Sequence, residues 1–300
     1  MDINETAGRG RSNRPAPTRR ILSGLVGEDI QASRSPWLHE READAQGIRL
    51  IYSLFDLAVT GEGADGLAAT LDAANRLGFA GVNITHPFKQ KIIPLLDELS
   101  DEARRIGAVN TVAFRNGVTK GFNTDCLGFS ESLRRGLADA QFDDVVQLGA
   151  GGAGAATANA LLEHGTRLLR LYDVREGQAE ALAANLSRTF GAERVTLVSD
   201  LASAIGSTDG VVNATPIGMV GHAGTPIPAE WLQPTQWVAD VIYFPLQTEL
   251  LKQARAKGCR TLNGVPMVVF QAAAAFDIFT GLIADRERML AGALEQWKAV

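Results

Sequence analysis

The chain is 300 residues long, 46% hydrophobic and 21% charged, with a formal net charge of −5 at pH 7. This leaves room for two globular domains and gives no general attraction to nucleic acid or to anionic membranes. No apolar run reaches the roughly 18 residues of a membrane span, and the two cysteines, Cys126 and Cys259, lack metal-ligand spacing, which points to a reducing cytoplasm.

Residues 1–20 carry Arg9, Arg11, Arg14, Arg19 and Arg20 against Asp2 and Glu5. No apolar segment follows, so this is no secretory signal, and it reads as a disordered leader rather than a targeting peptide. A strand is predicted over 21–26, then a loop, then a helix opening at Ser35-Pro36, with Ser35 as its N-cap. A strand over 50–55 follows. A helix over 66–77 has Leu67, Leu71, Ala74 and Leu77 on one side and stops at Gly78. A strand over 81–84 leads through Thr85-His86-Pro87 into a helix ending near Leu96, and a short helix spans 98–105. Residues 108–114 and 118–122 form a hairpin around Asn116-Gly117. After Asn123-Thr124-Asp125, a helix over 127–137 crosses to a second unit. There the pattern is strand 144–148, helix 153–164, strand 168–172, helix 176–189, strand 194–198, short helix 201–205 and strands 210–213 and 237–242. Helix 248–257 and strand 260–262 complete it. The last helices, 265–281 and 285–298, are expected to return to the first domain. The alternation argues α/β architecture, with a doubly wound second domain.

The second unit carries Gly149-x-Gly151-x-x-Gly154 between an apolar strand and a small-residue helix. Backbone N–H groups at such a turn suit a dinucleotide pyrophosphate. Asp173 ends the next strand, where a carboxylate can accept from both ribose hydroxyls of an adenosine. That favours NAD over NADP. Arg175, which could pair with a phosphate, argues the other way.

Polar residues gather at strand ends and helix starts in the first unit. Ser33 and Ser35 suit a carboxylate, or Ser35 is simply a cap. Lys89, in a first helical turn where the positive dipole end disfavours it, is either functional or a solvated lysine. Asn83, Thr85, Asn110 and Thr111 accompany it. Asp125 either faces an interdomain cleft or caps a helix.

Taken together, Ser-x-Ser-Pro, Gly-x-Asn-x-Thr-x-Pro-x-Lys, Gly-Ala-Val-Asn-Thr, Asn-Thr-Asp, Gly-Ala-Gly-Gly-Ala and Asn-Ala-Thr-Pro, in that order, resemble the shikimate dehydrogenase family from Ile21 to about Lys298. The resemblance implies a substrate-binding α/β domain (21–125 plus 270–300) and a Rossmann-like domain (126–269). It implies reversible hydride transfer between a nicotinamide and a ring hydroxyl of shikimate or quinate, with 3-dehydroshikimate or 3-dehydroquinate as the keto form. Matched to the family, Ser33 and Ser35 hold the substrate carboxylate. Asn83, Thr85, Asn110 and Asp125 bind ring hydroxyls, Gln271 and Tyr243 border the substrate, and Lys89 and Asp125 are the catalytic pair. Gly149, Ala150, Gly151, Gly152, Ala153, Asp173 and Arg175 border the cofactor, with Asn213, Ala214, Thr215 and Gly264. No metal is implied. Asp173, and His86 where biosynthetic members usually have an apolar residue, make the chain similar to the NAD-using quinate/shikimate branch. Ser35, where that branch can carry threonine, leaves the choice of substrate open. A lysine with a reference pKa of about 10.4 suits a proton donor and oxyanion stabiliser in the ketone-reducing direction. Competing readings are an NADP-dependent biosynthetic enzyme, a non-catalytic ligand sensor on the same fold, and a folate-linked dehydrogenase. The expected assembly is a monomer or homodimer.

Overall fold

The computed structural model describes residues 19–61 and 63–297. The predicted leader lies outside the described residues up to residue 18, and Arg20 already belongs to the first strand. The first part runs β1 (Arg20–Gly27), α1 (Ser35–Ala45), β2 (Arg49–Asp56), α2 (Leu57–Thr60), α3 (Gly66–Arg76), β3 (Gly81–Ile84), β4 (Glu98–Leu99), α4 (Asp101–Ile106), β5 (Thr111–Arg115) and β6 (Val118–Phe122). Its six-stranded sheet has the order β2-β1-β3-β5-β6-β4. β1 is parallel to β2 and β3, whereas β5 is antiparallel to both β3 and β6. The C-terminal end of β3 and the start of β5 therefore lie together.

Helix α5 (Thr124–Gly136) leads to β7 (Asp144–Leu148), α6 (Gly152–His164), β8 (Leu168–Tyr172), α7 (Gln178–Phe190), β9 (Val195–Leu197), α8 (Leu201–Gly206), β10 (Gly210–Asn213), β11 (Trp237–Asp240), α9 (Glu249–Ala256) and β12 (Arg260–Leu262). These strands form an all-parallel sheet, β12-β11-β10-β7-β8-β9. The winding reverses between β7 and β10, the crevice where ligands dock in such sheets. Helices α10 (Val265–Thr280) and α11 (Arg286–Trp297) return to the first sheet as the sequence predicts: Val269, Phe276 and Trp297 share a core with Ile21, Leu25 and Leu38. No described helix is long and apolar enough to cross a membrane.

Several local expectations are corrected. Helix α1 has Arg34, not Ser35, at its N-cap, and Ser35 opens the helix. Asn123, not Asp125, caps α5 by accepting from the Cys126 N–H. Residues 85–96 form successive turns and a short 3-10 segment instead of an α-helix. The Lys89 carbonyl accepts from Val109 N (2.8 Å), so Ile93 N turns to Gln90, and Pro94 has no N–H to donate. The helix-dipole argument for Lys89 therefore does not apply. Glu98–Leu99 pairs with β6, and the helix begins only after the Ser100 cap. Leu77 lies past the end of α3 and is 70% exposed.

His39 is fully buried on α1 and stacks on Tyr52 at 4.6 Å. Burial pushes its imidazole down to about 3 from 6.5. Between those values the unfolded chain binds the extra proton and the folded one does not. Stability is therefore lost as pH falls below 6.5, by up to about 1.4 kcal/mol per pH unit. His39→Leu should flatten the acid limb of a melting-temperature profile between pH 6.5 and 5. An unchanged limb would mean that His39 takes up its proton in place.

Candidate active site

One end of the first sheet collects the polar residues that the sequence singles out. Asn83 and Thr85 leave β3 at the end where Asn110 and Thr111 enter β5, and Thr111 pairs with both Asn83 and Phe122. The chain then passes through Asn123 into the first turn of α5, which carries Thr124 and Asp125. Lys89 Nζ lies 2.6 Å from Asp125 Oδ2, with side-chain exposures of 19% and 10%. This charge-assisted bond fixes the ammonium at the rim of a largely desolvated site.

Beneath the pair lies a continuous hydrogen-bond network. Tyr52 OH donates to Asn83 Oδ1 (2.7 Å), and Asn83 Nδ2 donates to Thr111 Oγ1 (2.9 Å) and to the Asn110 carbonyl (3.2 Å). Both amide protons of Asn83 are thus committed, and toward a ligand it can act only as an acceptor. Asn110 Oδ1 accepts from Thr124 N (2.7 Å), and Asn110 Nδ2 donates to Thr124 Oγ1 (2.9 Å) and, at 3.5 Å, to Gln271 Oε1. Gln271 reaches this network from α10 because α5 and α10 nearly touch at Gly128. A Cβ there would lie 2.5 Å from the Met267 carbonyl and 2.8 Å from Gln271 N, so only glycine allows the approach. Ser33 and Ser35 sit half-buried at the start of α1, where Ser33 Oγ accepts from Ser35 N (3.3 Å). Burial pushes the Tyr52 phenol up, and the nearby Ser35 hydroxyl opposes the shift. Asp56 fixes the approach to the serines by accepting from Asp29 N and Ile30 N. Thr85 is half-buried beside Gly27. Tyr243 is half-buried, 6.0 Å from the Trp297 ring and within the electrostatic reach of Arg34.

The glycine turn follows β7. Gly149 has φ +97°, and a Cβ on it would lie 2.8 Å from the Ala214 carbonyl, so glycine is required on both counts. No side chain caps α6, which leaves its first N–H groups to an anion. Side chains at Gly151 and Gly152 would point only toward Arg175 Nη2 (3.3 Å) and Lys89 Cδ (3.5 Å). This open cradle fits a pyrophosphate, and it brings the glycine turn face to face with Lys89. Ala150 N donates to Asp173 Oδ2 (2.8 Å), and Asp173 also holds Arg175 through its backbone N–H and guanidinium. Burial works to raise the Asp173 carboxyl, but the bonds from Arg175 and Ala150 outweigh it and hold the carboxyl below its ordinary value. Asn213 is buried. Its amide holds Thr215 N (3.0 Å), Thr215 Oγ1 (2.7 Å) and the Ile217 carbonyl (3.2 Å), so it shapes the loop bordering the cradle. Gly264 N donates to the Ile242 carbonyl (3.0 Å), which starts α10 against the Val241–Ile242 segment. Cys126, beside Asp125, is buried and its thiol is pushed up by burial, as for a packed residue.

The structure brings Lys89 and Asp125 together beside a network of Asn83, Asn110 and Gln271, and Lys89 faces the glycine turn. Ser35 lies beside Tyr52, whereas Tyr243 stands near Trp297 and Gly264 caps α10. Two polar residues not predicted as site residues, Tyr52 and Asp240, bond predicted ones: Tyr52 donates to Asn83 and Asp240 accepts from Asn213. Asp240 ends an apolar strand as Asp173 nearly does, but reading that strand through to residue 242 hid the resemblance.

The chain is similar to known proteins over most of its length. Residues 25–112 match the family model of the shikimate dehydrogenase substrate binding domain. The shikimate dehydrogenase (NADP(+)) of Streptomyces avermitilis is 51% identical over 276 residues, 91% of this chain and 95% of that one. The quinate/shikimate dehydrogenase (NAD(+)) of Corynebacterium efficiens is 48% identical over 274 residues, 90% and 96% of the two chains. The structure of quinate dehydrogenase from Corynebacterium glutamicum in complex with NAD superposes with a TM-score of 0.87. It has 46% identity and covers 93% of this chain and all of its own.

Proposed function

Because this chain belongs to the shikimate dehydrogenase family, we propose that it is an NAD-preferring oxidoreductase acting on shikimate and quinate, interconverting a ring hydroxyl and its ketone. The observation that carries the reading is the Lys89–Asp125 pair, 2.6 Å apart and facing the glycine turn at Gly152. With the dinucleotide's pyrophosphate in the cradle, its nicotinamide would supply hydride acceptance or donation. The chain's own residues do the rest. Ser33 and Ser35 hold the substrate carboxylate, and Asn83 accepts from a ring hydroxyl. Gln271 and Asn110 close the site from α10 and β5, with Thr85 and Tyr243 at its edges. Lys89 bonds the reacting oxygen, stabilises negative charge there and provides its proton in the ketone-reducing direction, while Asp125 fixes the ammonium. By releasing the exposed Arg175 guanidinium, Asp173 would accept from the adenosine ribose hydroxyls and repel a 2′-phosphate, which supports NAD. The substrate-binding part is residues 21–125 with 270–300, and the dinucleotide-binding part is 126–269.

Crossing NAD and NADP with shikimate and quinate, and following nicotinamide reduction, tests this directly. Turnover with a higher kcat/KM for NAD is expected. No turnover in any of the four pairs would remove the assignment, and a higher kcat/KM for NADP would overturn the cofactor preference.

A further inference from the structure

The carboxylate of Asp240, at the end of β11, has no role in the chemistry above. It is 2% exposed and lies level with Asn213, which in turn pairs with Leu148 just before the glycine turn. Oδ1 accepts from Asn213 Nδ2 (3.1 Å) and from Ile242 N (3.0 Å), and Oδ2 accepts from Thr248 Oγ1 (2.7 Å). Through Asn213 the carboxylate orients the amide that holds Thr215 and the Ile217 carbonyl. The loop so fixed lies against Gly149. Through Ile242 and Thr248 it anchors both ends of the turn that carries Tyr243, and Thr248 is also the cap of α9. The Val241 N–Asn213 O bond (3.0 Å) is the backbone tie between the same two segments.

We propose that Asp240 is a positioning residue that locks the Asn213–Ile217 loop on the cofactor side to the Val241–Thr248 segment on the substrate side. The proposal rests on the reading that this cleft takes a nicotinamide dinucleotide and a ring polyol acid. A carboxylate suits the place because three donors converge on it and none of its oxygens needs to donate. Burial lifts its carboxyl to about 6, and the bonds from Thr248, Ile242 and Asn213 oppose the shift.

The test combines NADH binding, read from its fluorescence, with KM for the polyol acid. Asp240→Ala should weaken both by about 10-fold, the size of one lost buried hydrogen bond to a charged group. Asp240→Asn keeps the acceptor for Asn213 and Ile242 and can donate to Thr248 Oγ1, so both values should return to within about threefold of wild type. Asn213→Ala should weaken NADH binding and leave KM for the polyol acid unchanged, because the Ile242 and Thr248 bonds remain. If Asp240→Ala fails to fold, the other two variants decide. The proposal is overturned if Asp240→Asn is as impaired as the alanine variant, if Asp240→Ala affects only one of the two values, or if Asn213→Ala leaves NADH binding unchanged. A wild-type protein that binds NADH but turns over neither polyol acid would instead remove the proposed function, with the NADH results still reporting on Asp240.

Discussion

Lys89→Ala is expected to lower kcat by about 10³-fold while changing KM for the substrate only a few-fold, the signature of a group that acts in the transition state. The expectation follows from where the ammonium sits. Its Nζ is bonded to Asp125, its Cδ faces the glycine turn, and its carbonyl is tied to Val109 at the start of the segment that leads to Asn110. Removing the side chain takes away the cation beside the reacting oxygen and leaves Asp125 without its partner. The serines, Asn83 and Gln271 stay in place to bind substrate. Lys89→Met keeps much of the volume and should lose nearly as much kcat as alanine, which separates charge from packing. Steady-state kinetics with saturating cofactor checks both, and near wild-type kcat in either variant would remove Lys89 from the proposed chemistry.

Asp173→Ala is expected to lower kcat/KM with NAD by about 10²-fold and to invert the cofactor preference, because a charge-assisted hydrogen bond is worth about 1.5–3 kcal/mol and its loss falls on NAD alone. The carboxylate has a second effect on the opposite side of the balance. It holds Arg175 through the backbone and the guanidinium. Without it, an arginine whose Nη2 lies beside Gly151 is free to pair with a 2′-phosphate. The ratio of the two kcat/KM values, measured at one ionic strength, should therefore move further than the NAD value alone. An unchanged ratio would mean that Asp173 serves only to hold the Ala150 N–H and Arg175 in place.

Much of this was legible in the sequence because it depends on local patterns. Short apolar runs, each followed by glycine or a polar residue, announce buried parallel strands, and the Gly149–Gly154 spacing announces the turn. Lys89 and Asp125 are separated by 36 positions and meet only because β3 and β6 flank β5 in the sheet. Their pairing was implied by resemblance to a family and was not readable from spacing. Two kinds of feature escaped. The segment after β3 carries helix-like apolar spacing, but a long-range bond from Val109 takes the carbonyl that an α-helix would need. Tyr52 and Asp240 look like ordinary strand residues, and their roles arise from partners distant in sequence, Asn83 two strands away across β1 and Asn213 on the adjacent strand.

The central claim, hydride transfer from the substrate ring, is tested most directly with shikimate or quinate deuterated at the carbon that bears the oxidised hydroxyl. With NAD present, the deuterium should be recovered in the reduced nicotinamide, in step with the rise in its absorbance. Deuterium that stays in the ring, or nicotinamide that remains oxidised, would contradict the account.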